Sequence, residues 1–416
     1  FTVMLAMTTI SHWVVGGSNF FYSEPLMPAP LDRALTPGKV LALHHGKVIV
    51  VAAAGGGIQA SGWTAQVLSG LKEDPANGSA FTQSLKVISG VSGGAVGTLF
   101  YLGSYDNVWG KAYSPEEARK RAMTSSLPAV AWGLVYPDLN QTLFPIPFFR
   151  NIDRGWALER SFAQTAGRYP GPKLLDLAPE VARGLPVFIF NSTLSSQAIP
   201  AVFTNSRFPD PATTNLRRGS MRDFHGDFRL ETRLETAARL SASFPWVSPA
   251  ARPSQLKGRD AFLDGGYFDN SGLYSLMGWL EEAAETMPAG GETRQVLLLQ
   301  IDAFPEPKER MPAEGPVEMS WYNQLAIPFE TIVGVRETGQ AARSQYEFPL
   351  LARSLEGKMK IKQIQFRYRP SPRCHLEDPP LSWHLSELEK DCIREGWEET
   401  QTRDARMAVK EWLSAP

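Results

Sequence analysis

The chain has 416 residues, 43% of them hydrophobic and 20% charged, so it can bury a large core in one domain or several. Its 42 basic and 43 acidic residues leave a formal net charge of −1, which provides no basic field for nucleic acid. Two cysteines, Cys374 and Cys392, cannot build a disulfide framework or a Cys-rich zinc site, and no histidine falls in an H-E-x-x-H arrangement.

Residues 1–23 carry no Asp, Glu, Lys or Arg. The stretch is long enough to span a membrane, which takes about 20 mostly apolar residues, yet Thr8, Thr9, Ser11, His12, Gly16, Gly17 and Asn19 dilute it. Composition leaves open a membrane-embedded or membrane-lying segment and a buried or docked N-terminal strand or helix. It shows no basic flank of a signal peptide, and because the chain begins with Phe1, sequence upstream is expected. Residues 23–38 are Pro-rich and read as a linker. The expected division is therefore an N-terminal apolar segment with linker, 1–38, and a catalytic domain, 39–416.

Next in order, 47–52 is a short β-branched run, read as a buried strand, and it ends in Gly55-Gly56-Gly57. Residues 61–73 place Trp63, Val67, Leu68 and Leu71 at helical spacing, 85–89 reads as a second strand, and 94–105 as a second helix. This β-α-β-α order indicates a parallel sheet covered on both faces. Further strands are expected at 186–191, 201–205, 295–302 and 361–368, and helices near 115–124, 232–243, 273–285, 329–353 and 384–395. Residues 127–149 hold one charge, Asp138, and four prolines, which argues against a regular helix and leaves a satellite core or an apolar lid.

Three short segments carry chemistry. GGGIQA (55–60) opens a helix at a strand end, where backbone N–H groups and the helix dipole favour negative charge. It lacks the Gly-Lys-[Ser/Thr] of a phosphate loop. It satisfies G-x-G-x-x-[G/A] through Gly55, Gly57 and Ala60, but Glu73 and Asp74 fall before the next strand rather than at its end, which weakens a dinucleotide site. An oxyanion hole is the third reading. GVSGG (90–94) fits G-x-S-x-G with a strand before and a helix after, the setting of an exposed nucleophile at Ser92. Phe262-Leu263 end an expected strand and Asp264 stands just before two glycines, where a carboxylate can approach another turn closely, although Asp-Gly is also an ordinary turn.

Taken together, GGGIQA (55–60), GVSGG (90–94) and DGG (264–266) resemble the patatin-like phospholipase family, whose pattern is G-G-G-x-[R/K]-G, G-x-S-x-G, then D-G-[G/A]. Segments 152–160, 238–250, 267–272 and 381–389 extend the resemblance, the last toward bacterial members, over roughly 45 to 395. The resemblance implies a three-layer α/β/α sandwich with a mainly parallel central sheet. It implies a serine lipid acyl hydrolase, of phospholipase A or lysophospholipase type, acting on phospholipid or another acyl-ester lipid, membrane-associated and bacterial. Ser92 would be the nucleophile and Asp264 its base, without histidine. Gly55, Gly56 and Gly57 would supply oxyanion amides, with Gly93 a further donor. No metal or other cofactor is implied. The chain departs from the pattern at Gln59, where the family has Arg or Lys, and at Ala60, where it has Gly.

Two rivals remain. A Ser-acid-His triad would use Ser92, Asp264 and either His375 or His384. A lipid-binding or scaffold protein would keep the fold without chemistry, and Gln59 motivates it. Arg217, Arg218 and Arg222 suit lipid phosphates or a solvated loop.

Overall fold

The computed structural model describes residues 20–143, 152–209, 219–244, 247–256, 260–287, 292–304, 346–370 and 383–415, with Ala6, Arg343 and Cys374 singly. In chain order the elements that frame the site are β1 (Val48–Ala53), α1 (Gly57–Glu73), β2 (Leu85–Val91), α2 (Gly93–Leu102), α3 (Pro115–Ala122), α4 (Leu127–Gly133) and α5 (Arg154–Ala166). They continue with β3 (Val187–Leu194), β4 (Ile199–Thr204), β5 (Arg222–Asp223), α6 (Leu234–Ser241), β6 (Phe262–Asp264), α7 (Leu273–Glu285), β7 (Arg294–Asp302), β8 (Met359–Arg367), α8 (Glu387–Gly396) and α9 (Thr400–Ser414).

Among the described residues these eight strands form one sheet, in the order β8-β7-β1-β2-β3-β4-β5, with β6 pairing β3 off this path. The β7–β8, β7–β1, β1–β2, β2–β3 and β4–β5 pairs are parallel, and β3–β4 and β6–β3 antiparallel. The central strands are apolar without alternation because both faces are covered. On β1, Ile49 and Val51 join the apolar cluster containing Trp63, Leu99 and Phe162. Val48, Val50 and Ala52 join the opposite one, with Leu276, Trp279 and Leu280 of α7. Each buried Val, Leu or Ile among them contributes about 1.5–3 kcal/mol relative to exposure. The result is the expected three-layer α/β/α sandwich with a mainly parallel sheet.

The structure departs from the sequence reading in several places. The Pro-rich 23–38 stretch is not an open linker. Glu24–Pro25 pairs with Leu230–Glu231, and the short helices Pro28–Arg33 and Pro37–Ala42 bury Leu31, Val40 and Leu41. Proline sits in the first turn of both helices, where its missing N–H costs nothing. Just before this stretch, Phe20–Phe21 pairs with Arg252–Pro253. Residues 127–143 are helical after all: α4 runs into a π-turn, Leu134–Asp138, and a further turn, Leu139–Leu143. Pro128 occupies the first turn, and Pro137 lies inside the wider π-turn. Helices α5 and α9 were not expected at all. Of the helix expected at 329–353, residues 346–353 are helical, and most of the rest lies outside the described residues.

The two cysteines also pair. Cys374 and Cys392 form a disulfide with Cα atoms 6.0 Å apart, joining the chain after β8 to α8 across 18 residues. A loop of that size is worth about 3 kcal/mol in the chain-entropy account. It fastens α8 where Ile393 enters the core beside α1 and Trp397 stacks on Phe366, with ring centroids 6.3 Å apart.

Candidate active site

Strand register brings the three motifs together. β1 and β2 are parallel neighbours, with Ala53 opposite Gly90, so both strands release their loops at the same end of the sheet. One loop is Ala54-Gly55-Gly56-Gly57 leading into α1, and the other is Ser92 leading into α2. Val91 of β2 pairs Asn191 of β3, and the next residue, Ser192, pairs Asp264 of β6. Asp264 is thereby set beside Ser92. The Ser92 Oγ donates a hydrogen bond to Asp264 Oδ2 at 2.8 Å, and both side chains are buried. The other carboxylate oxygen, Oδ1, accepts the Gly266 amide at 2.8 Å, and Thr193 Oγ1 donates to the Asp264 carbonyl at 3.0 Å.

Ser92 caps α2 with φ 50° and ψ −120°, an uncommon conformation for a residue with a side chain. Its surroundings hold it there. The Ser92 amide donates to Ser241 Oγ at 3.0 Å, and Ser241 Oγ donates onward to the Asn191 carbonyl at 2.5 Å. Asn191 Nδ2 donates to Ser89 Oγ and to the Gly90 carbonyl, both at 2.9 Å, locking the last turns of β2. Ser241 and Asn191 were not singled out in the sequence. The available signals were a polar residue ending an apolar strand run, PVFIFN, and a serine in the ARLSASFPWVSPA segment.

The glycine loop lies against the serine turn. A Cβ on Gly93 would stand 1.9 Å from the Gly57 carbonyl oxygen, so only glycine permits this approach. Gly56 has φ 146°, a backbone conformation that side chains rarely adopt. Gly57 and Gly93 open α1 and α2, where first-turn amides have no acceptor within their own helix. Gly55 differs: its amide donates to the Asn270 carbonyl at 2.9 Å. It is therefore not a free donor, and the expected set narrows to Gly56, Gly57 and Gly93.

Gln59 is buried in the first turn of α1, its side chain facing Tyr368. The Tyr368 hydroxyl is pushed up to about 12, chiefly by burial. Glu73 and Asp74, needed for a dinucleotide site, are engaged locally: Glu73 pairs with Arg119, and Asp74 accepts the amides of Ala76 and Asn77. The triad arrangement also loses ground. His384 is exposed, and the serine hydroxyl is bonded to the carboxylate directly, with no imidazole between. His375, Arg217 and Arg218 lie outside the described residues, and Arg222 donates to Gln197 Oε1 at 3.0 Å.

A family model described as patatin-like phospholipase matches residues 51–277, more than half of the chain and all three motifs. No curated protein matches. Among solved structures, human GIVD cytosolic phospholipase A2 is similar at 12% identity and a TM-score of 0.43, over 99% of this chain and 65% of that one. VipD from Legionella pneumophila is similar at 11% identity and a TM-score of 0.36, over 88% of this chain and 67% of that one. ExoU from the type III secretion system of Pseudomonas aeruginosa, solved with SpcU, is similar at 12% identity and a TM-score of 0.31, over 92% of this chain and 54% of that one. The chain thus spans between about half and two thirds of the length of these structures. With the family model covering the glycine loop, the serine turn and the DGG turn, the chain belongs to the patatin-like phospholipase family.

Proposed function

We propose that this protein is a serine hydrolase of lipid acyl esters, of phospholipase A or lysophospholipase type, acting through Ser92 and Asp264. The observation that carries the reading is the 2.8 Å hydrogen bond between Ser92 Oγ and Asp264 Oδ2 at the ends of β2 and β6. In the first half-reaction Ser92 Oγ attacks the ester carbonyl carbon while its proton passes to Asp264. The tetrahedral oxyanion is met by the amides of Gly56, Gly57 and Gly93. Collapse breaks the bond to the alcohol, which leaves with the proton from Asp264, and an acyl-Ser92 remains. Water then attacks the acyl carbon, Asp264 again takes the proton, and the fatty acid is released. No step calls on a metal or other cofactor.

The family membership supports a lipid ester as substrate, and the apolar 127–143 segment suits a protein working at a membrane surface. Gln59 supplies no positive charge where the family motif has Arg or Lys, so the oxyanion depends on backbone amides and the dipoles of α1 and α2. The test is turnover of a medium-chain acyl ester by the purified chain. Ser92→Ala and Asp264→Asn are each expected to lower kcat by at least about a thousandfold with the fold retained. Turnover that survives both substitutions would assign the activity elsewhere. A folded parent chain without turnover would favour a lipid-binding protein of the same fold.

A further inference from the structure

We propose that the helical rod running from Leu127 to Leu139 docks on an anionic phospholipid bilayer. Its buried positions, Val130, Gly133 and Pro137, form one narrow stripe, continued by Ser126 before it and Gln141 after it. Gly133 lets this stripe press on the start of α5, since a Cβ there would stand 2.4 Å from Arg154 Cα. The remaining surface points to solvent. An ordinary surface helix fills that side with charge. This one fills it with Leu127, Trp132, Leu134, Val135, Tyr136 and Leu139, of which Val135 and Tyr136 are 55% and 56% exposed. The π-turn allows Leu134, Val135 and Tyr136 to face outward in succession while Pro137 is seated.

Charge around the rod is arranged to match. Its one ionisable acid, Asp138, is tied down by Arg154: the guanidinium lies 3.2 Å from Oδ2, and the Arg154 amide donates to Oδ1 at 3.1 Å. The rod itself is thus apolar and neutral. Beside it, Trp132 packs 6.3 Å from Trp156 of α5, and Arg160 stacks on Trp156 and Tyr169 at 5.3 Å and 5.6 Å. Arg160 and Arg168 are exposed, and neither has a carboxylate partner among the described residues. Apolar side chains rimmed by Trp, Tyr and unpaired Arg complement a bilayer whose acyl region lies beneath negative phosphates. The same α5 packs on α6, through Thr236 and Arg239 bonded to Glu159, and α6 ends in Ser241 beneath Ser92. Docking here rests on the hydrolase reading for its purpose, delivery of membrane lipid to Ser92.

The experiment is co-sedimentation of the full chain carrying Ser92→Ala with phosphatidylcholine vesicles, with and without phosphatidylglycerol. Binding is read in a chain that does not turn over, so its outcome is separate from that of ester turnover by the parent. Leu134→Glu with Tyr136→Glu is expected to lower partition by roughly tenfold or more. Tyr136→Ser, a milder change at an exposed site, is expected to lower it in the same direction. Arg160→Gln is expected to weaken binding about fivefold on the phosphatidylglycerol vesicles alone. Circular dichroism confirms folding of each variant. Equal partition of the Leu134 and Tyr136 variants and the parent would overturn the proposal. So would a parent that binds neither vesicle but self-associates through this face, with the association lost in the Leu134 and Tyr136 variants.

Discussion

Ser92 sits at φ 50° because several hydrogen bonds converge on the turn. Ser241 is the central one: its hydroxyl accepts from the Ser92 amide and donates to the Asn191 carbonyl. Ser241→Ala strips the partner from two buried backbone groups at once, a cost of about 1–3 kcal/mol for each unpaired group. The hydroxyl bonds the Ser92 amide, whereas Ser92 Oγ bonds Asp264, so Ser241 is a positioning residue. A small displacement of the nucleophile is expected to lower kcat by roughly ten- to a hundredfold while KM changes little. Steady-state kinetics would show this split, and Ser241→Thr, which keeps the hydroxyl, should recover part of kcat. An unchanged kcat in Ser241→Ala would mean that the turn holds without this bridge.

At the scale of elements, α6 links the turn to the packing around it. It carries Arg239, which pairs with Glu159 of α5 at 2.8 Å in a fully buried setting, and Glu235, whose Oε1 accepts the Gly171 amide at 2.9 Å. Burial pushes Glu159 up, and Arg239 opposes that rise. Burial also pushes the Glu235 carboxyl up to about 7 from a usual value of 4.5. Because the folded-state value is raised, the folded chain holds the proton more tightly than the unfolded chain. The associated stability is fully present below about pH 4.5 and is lost as pH rises through about 7. Glu235→Gln keeps the acceptor for Gly171 and removes the titration. Denaturant unfolding across this window should show the parent losing roughly 2–3 kcal/mol more than the variant. Identical slopes in both chains would place the titrating group elsewhere.

Over the whole molecule, what was legible in the sequence follows from what leaves a local pattern. β1 and β2 were readable because both faces are buried, so VIVVAA, and LKVISGV apart from Lys86 and Ser89, are apolar without alternation. Ser92, Asp264 and the glycine loop were readable because tight turns restrict residue type. The network beneath them was not, since Asn191 and Ser241 are polar residues made necessary by tertiary contact alone. The helix at 127–143 was obscured by its two prolines, both of which occupy places a helix tolerates. Its outward apolar face reverses the usual amphipathic pattern. The Cys374–Cys392 pairing depends on α8 folding back toward the end of β8, which no spacing announces. Gly55 carried the right residue type, yet Asn270 takes its amide.

The central claim is an activated serine at the end of β2. It is tested most directly by reacting the purified, folded chain with a fluorophosphonate and locating the adduct by peptide mass spectrometry. The expected result is a single adduct on Ser92, lost in Ser92→Ala and strongly slowed in Asp264→Asn. A folded chain that stays unlabelled, or one labelled at another serine, would contradict it.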